Sequence, residues 1–181
     1  MADDFLKNED WVQRMNEKFM WLDTNKNGSL EVDDWKDWVQ SIERATNASE
    51  DLISKVQRAV DEFCIAIGVT PGKSLSKEQF IREFATFAAA ERAIKERGGQ
   101  PILYKLYGAI YDVIDMNKDG YVTLSEYKAV MKACNYDMNE IFKTFCQMDS
   151  DISGKIDRQE MAEYQYRTWI DLQKPKAKKK Y

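Results

Sequence analysis

Apolar residues recur along this chain at three- and four-residue steps, and four polar stretches interrupt the pattern. Such spacing puts apolar side chains on one face of a helix, so it predicts helices joined by loops. The first predicted helix covers residues 4 to 22, with Phe5, Trp11, Met15, Phe19 and Leu22 facing inward. Beyond a polar loop, Trp35, Trp38, Val39 and Ile42 continue an apolar face. A turn at 46–51, capped by Asn47 or Ser49, opens a helix that runs to Ile67. A long helix from 77 to 97 carries Phe80, Ile81, Phe84, Phe87, Ala88 and Ile94, and Gly98-Gly99-Gln100-Pro101 breaks it. Ile102 to Ile114, then Tyr127, Val130 and Met131, then Ile141 to Met148, and finally Met161, Tyr164 and Trp169 complete the series.

The interruptions carry the chemistry. Residues 115–126 place Asp115, Asn117 and Asp119 at loop positions 1, 3 and 5, Gly120 at 6, Val122 at 8 and Glu126 at 12. A hard dication wants six to eight oxygens, and one short loop supplies them by wrapping round the ion. Gly120 permits the sharp turn, and Tyr121 gives its backbone carbonyl. Thr123 acts through water, and Glu126 is long enough to give both oxygens. This is an EF-hand calcium loop.

The pattern returns at 149–160, with Asp149, Asp151, Ser153, the Lys155 carbonyl, Asp157 and Glu160. It returns again at 23–34, with Asp23, Asn25, Asn27, the Ser29 carbonyl, Glu31 and Asp34. An acidic turn could carry one such match by accident; three in one chain make a strong signal. The predicted ligands are therefore three sets for three Ca²⁺. Aspartate at position 12 is one methylene short of glutamate, which suits octahedral Mg²⁺, so the first loop is the candidate for mixed Ca²⁺/Mg²⁺ occupancy.

Residues 68–79 fit the same frame with apolar flanks, yet Gly68, Thr70, Gly72 and Gln79 replace the ligands. This reads as a fourth hand that keeps its packing and has lost its ion. Apolar residues at position 8 in all four frames imply two pairs, Leu30 with Leu75 and Val122 with Ile156. The expected fold is all-α, a compact four-EF-hand arrangement with short antiparallel bridges between paired loops. The expected divisions are an N-terminal pair at 1–97, a C-terminal pair at 98–173, and a basic disordered tail at 174–181. The tail could also touch an anionic surface through its lysines.

Composition narrows the function. With 44% apolar and 32% charged residues and a net charge of −4, three bound divalent ions would reverse the sign of the charge. The opening MADDFLKNED is acidic and polar, unlike a signal peptide, and no apolar run spans a membrane. Cys64, Cys134 and Cys146, odd in number and helix-borne, read as buried reduced thiols and imply a cytoplasmic setting. The chain has no histidine, which removes the commonest general base. A non-enzyme, monomeric and without a nucleic-acid partner, is expected.

The order of sites (one, a silent second, three and four) over about 180 residues resembles the sarcoplasmic calcium-binding proteins. That wider family takes in calexcitin, calerythrin, the coelenterazine-binding proteins and the calcium-triggered photoproteins. The resemblance rests on the first loop ending in Asp34 before an aromatic and on the long segment from Gln79 to Asp115. It implies a globular four-hand fold. Photoproteins carry a histidine five residues after the last loop's glutamate, a tryptophan four further on, and a terminal proline. This chain has Gln165, Trp169 and the ending Lys180-Tyr181, so light emission is not expected while lipophilic ligand binding stays open.

The leading expectation is a calcium buffer or signal modulator. One alternative is a sensor that opens a groove for a target helix, with Met15, Met20, Met131, Met138 and Met161 as an adaptable surface. The other is a Ca²⁺-triggered carrier of a coelenterazine-type ligand, enclosed by Trp11, Trp21, Trp35, Trp38 and Trp169.

Overall fold

A computed structural model describes residues 1–173; the expected basic tail at 174–181 lies outside the described residues. Among the described residues the order is α1 (Ala2–Leu6), α2 (Glu9–Leu22), β1 (Ser29–Leu30), α3 (Val32–Thr46), α4 (Glu50–Ala66), β2 (Leu75–Ser76) and α5 (Lys77–Glu96). The second half follows as α6 (Ile102–Ile114), β3 (Val122–Thr123), α7 (Leu124–Ala133), α8 (Met138–Met148), β4 (Lys155–Ile156) and α9 (Arg158–Ile170). No helix among the described residues is long and apolar enough to cross a membrane.

The single helix expected over 4–22 is two. Asn8 caps α2 by accepting a hydrogen bond from the Trp11 N–H at 2.8 Å, and the chain bends there. The bend brings Phe5 and Trp11 together, ring centroids 5.0 Å apart, with both fully buried. Asn47 turns left-handed to close α3, which leaves Ser49 at the N-cap of α4.

Two antiparallel bridges form at the expected residues. Leu30 faces Leu75, and Val122 faces Ile156. All four are buried, so each bridge is also the place where two loops share a core. The ligand-poor second loop pairs as the intact ones do.

The halves pack through α4 on α6, α3 on α7 and α5 on α9. Trp169 sits at the seam, stacked on Phe84 at 4.9 Å and edge-on to Phe63 at 6.1 Å. The C-terminal carbonyls of α9 lack helical partners, and the N-terminal half supplies donors. Trp11 Nε1 donates to the Trp169 carbonyl at 2.9 Å and Arg92 to that of Ile170 at 3.2 Å; Arg14 donates to that of Asp171. Glu91 does the converse at α6. Its buried carboxylate accepts from the Ile102 and Leu103 N–H groups at 2.9 and 3.0 Å, at the positive end of the helix. Burial raises its pKa, and those two bonds oppose the rise.

Two expectations on side chains are corrected. Cys64 is buried, but Cys134 is half-buried and Cys146 exposed, on the outer face of amphipathic α8. Met15, Met131 and Met161 belong to the core, leaving Met20 and Met138 exposed, so the five methionines form no common surface.

Candidate calcium loops and the cavity they surround

Each of the three candidate loops is drawn closed by its own carboxylates. The side chain at position 12 accepts from the N–H groups at positions 2, 3 and 9. Glu126 takes those of Met116, Asn117 and Thr123 at 3.1, 3.4 and 2.9 Å. Glu160 takes those of Ser150, Asp151 and Asp157 at 2.6, 3.3 and 3.0 Å. Asp34 takes those of Thr24, Asn25 and Glu31 at 3.0, 3.4 and 3.0 Å. The shorter side chain in the first loop therefore reaches the same three donors. It also accepts from the Thr24 hydroxyl at 2.9 Å, and it is the most buried of the three.

The position-1 aspartates hold the far side. Asp23 accepts from the Asn27 and Gly28 N–H groups, and Asp149 from those of Ser153 and Gly154. Asp115 accepts from the Gly120 N–H with one oxygen, while its other oxygen is buried with no hydrogen-bond partner. An acceptor buried without a donor is what a cation would satisfy. In the last loop, oxygens of Asp149, Asp151 and Glu160 lie within 4.8 Å of one another. The donor set throughout is hard oxygen, which fits Ca²⁺ or Mg²⁺ and no softer metal.

At position 3, Asn25 accepts from the Asn27 N–H, Asn117 from the Asp119 N–H and Asp151 from the Ser153 N–H. At position 5, Asn27 and Asp119 accept from the Ser29 and Tyr121 N–H groups, and the Ser153 hydroxyl donates to the Lys155 carbonyl. Position 9 doubles as a helix cap. Thr123 and Asp157 accept from the Glu126 and Glu160 N–H groups, and Glu31 occupies the N-cap of α3.

Hydrogen bonds from Ser153 hold the exposed Asp151 carboxyl below its ordinary range. At Glu126 burial opposes the charge, but bonds from Thr123, Asn117 and Met116 outweigh it and lower the pKa. One feature escaped the sequence reading. Lys26, Lys118 and Ile152, all at position 4, adopt φ of 56°, 58° and 60°, so the turn is left-handed before the glycine as well as at it.

A cavity of about 330 Å³ lies between the halves. Trp21, Trp35, Trp38 and Trp169 line it; Trp11, expected among them, is packed behind it against Phe5 and Phe84. Trp169 Nε1 donates to the Tyr107 hydroxyl at 2.8 Å, and the Tyr164 hydroxyl donates to Gln147 at 2.6 Å. Burial pushes Tyr107 up to about 12, with the Trp169 bond acting in the opposite sense. The loops reach this cavity directly. The residue after position 12 lines it in each of the three candidate loops: Trp35 after Asp34, Tyr127 after Glu126 and Met161 after Glu160. In the silent loop that residue is Phe80, buried in the core against Phe19 and Phe84 instead.

A family model described as "EF hand" matches residues 112–131. Obelin of Obelia longissima is 28% identical over 178 residues, covering 91% of this chain and 86% of obelin. The luciferin-binding protein of Renilla reniformis is 24% identical, covering 82% of this chain and 80% of that protein. The structure of Mg²⁺-loaded apo-berovin, a light-sensitive ctenophore photoprotein whose three Ca²⁺-binding loops bind magnesium, is 30% identical with a TM-score of 0.80, each chain covered to 87%. This chain belongs to the EF-hand family of the photoproteins. It is a Ca²⁺-binding protein.

Membership sharpens what is particular to this chain. Gln165 stands on the cavity wall where the resemblance to photoproteins leads one to expect a histidine, and the whole chain lacks that residue. Lys18, fully within α2, brings a cation to the same wall, 3.8 Å from the Trp169 ring.

Proposed function

We propose that this protein is a Ca²⁺-triggered carrier of a flat lipophilic ligand of the coelenterazine type. The observation that carries the reading is the junction of loops and cavity: each binding loop passes straight into one residue of a single aromatic wall. The cavity's volume falls in the range of small-molecule sites, and its few polar groups converge among tryptophans and tyrosines. A relative named for binding luciferin, and others that are photoproteins, support the same reading. A plain buffer would need no cavity, and a target-helix sensor would need the methionines outside the core.

Ca²⁺ supplies the charge that the loop carboxylates are arranged to neutralise. The side chains at position 12 now spend their oxygens on loop N–H groups, and coordination would trade those bonds for the ion. Because Asp34, Glu126 and Glu160 also stand in the first turns of α3, α7 and α9, that trade acts on the helices that bear Trp35, Tyr127 and Met161. In this reading the 23–34, 115–126 and 149–160 loops take three ions, the first open to Mg²⁺. Berovin, whose three loops all bind magnesium, supports testing Mg²⁺ at the other two as well. The carrier works as a monomer inside the cell, without catalysing a reaction and without emitting light.

The test is a titration of the Ca²⁺-free protein with coelenterazine, followed by quenching of tryptophan fluorescence. Saturable one-to-one quenching is expected, because four tryptophans line the cavity. Absence of saturable binding would overturn the reading.

A further inference from the structure

Two buried cations that make no salt bridge line the cavity, with Asp171, Asp10 and Glu17 acting on Arg14 from farther off and Glu17, Asp34 and Glu140 also on the lining. Arg14 and Lys18 lie one turn apart on α2, are 6% and 9% exposed, and both line the cavity. Arg14 donates one N–H to the Asp171 carbonyl, which ties it to the end of α9. Its Nε and Nη1 groups are buried with no partner. Lys18 Nζ has the Thr168 hydroxyl at 3.4 Å and the face of Trp169. Among the described residues neither cation has a carboxylate within ion-pair distance. Trp35, also among the residues lining the cavity, carries a further buried donor, Nε1, with no partner.

Buried donors of this kind are costly unless something accepts from them, and a charged acceptor returns the most. Water at the mouth could serve, but the surroundings are aromatic, and desolvation is already severe. Burial, with the Arg14 charge beside it, lowers Lys18 to about 7, and exposed Glu17 opposes the fall.

We propose that Arg14, Lys18 and Trp35 form an anion subsite, so that the carried molecule is a flat aromatic bearing an acidic oxygen group. The inference rests on the carrier reading and adds the polarity of the ligand to it. A sulfonate, sulfate, carboxylate or ionised ring oxygen would share this chemistry: several oxygens accepting from donors fixed in a dry aromatic site.

Two probes with one skeleton separate the possibilities. 8-Anilinonaphthalene-1-sulfonate carries the anion, and N-phenyl-1-naphthylamine lacks it. Both are titrated into the Ca²⁺-free protein and followed by energy transfer from tryptophan. The sulfonate is expected to bind one-to-one and at least about tenfold more tightly than the neutral amine. Lys18→Met should erase that preference by weakening the sulfonate about tenfold more than the amine, and Lys18→Arg should keep it. Arg14 is left alone, because it also caps α9. Equal binding of both probes to the wild type, or a preference that survives Lys18→Met, would overturn the subsite and leave the carrier reading standing. If neither probe binds, the subsite falls, while the carrier reading is decided separately by the coelenterazine titration.

Discussion

The first and second loops share a bridge, yet differ in what they do with position 12. Asp34 accepts from three N–H groups of its own loop and sits at the head of a helix whose next residue lines the cavity. Gln79, in the same place, accepts from the Ser76 N–H at 2.8 Å, which is the helix-capping bond, and leads to a core residue instead. Packing and ion binding are thus separable within one hand. The bridge needs buried residues at position 8, whereas the site needs carboxylates converging on one point. The second loop keeps the first requirement and has lost the second along with its route to the cavity.

The largest expected effect breaks the intact side of that comparison. Glu126→Gln and Glu160→Gln should each cost about a hundredfold or more in affinity at one site, removing one ion from the calorimetric stoichiometry. Full stoichiometry in either variant would contradict the ligand frame. Next comes the shared side. Leu75→Ala in the silent loop and Ile156→Ala in an intact one should each cost about 2–5 kcal/mol in urea unfolding without metal, since both residues are buried in equivalent bridges. A loss at Leu75 well below that range would deny the silent loop its packing role.

A comparable effect belongs to Lys18. Its folded pKa is about 7 against 10.5 for an unburdened lysine, so between those values the unfolded chain binds more protons and stability rises with pH. Below pH 7 the penalty is present in full, on the order of 5 kcal/mol. Lys18→Met should therefore stabilise most at acid pH, with the gain shrinking as pH climbs toward 10. Arg14 and Glu17 are the charged groups acting on Lys18, alongside the Thr168 hydroxyl and the Trp169 ring. A pH-independent gain would refute the assignment. The smallest effect sharpens the first loop: Asp34→Glu should raise its preference for Ca²⁺ over Mg²⁺ by about tenfold, read by competition titration.

Most of the fold could be read in the chain because EF-hand loops fix both a turn and the register of a bridge. Leu30, Leu75, Val122 and Ile156 pair as their loop positions imply. The break at Asn8 could not be read, since the apolar spacing from Phe5 to Leu22 continues through it and the cap depends on one side-chain bond. Glu91 was equally silent. A lone glutamate in a long helix gives no sign that it will be buried against the start of another helix. At the site, the loop residues announced themselves through spacing. Arg14 and Lys18 did not, because a basic residue on an amphipathic helix ordinarily faces water, and here the opposing half of the molecule covers them.

The central claim is that ions in the loops govern what the cavity holds. Its most direct test is coelenterazine affinity measured on one preparation in excess chelator and again in saturating Ca²⁺. The account predicts tight one-to-one binding without Ca²⁺ and affinity weaker by at least about tenfold with it. Equal affinity in the two conditions would contradict it.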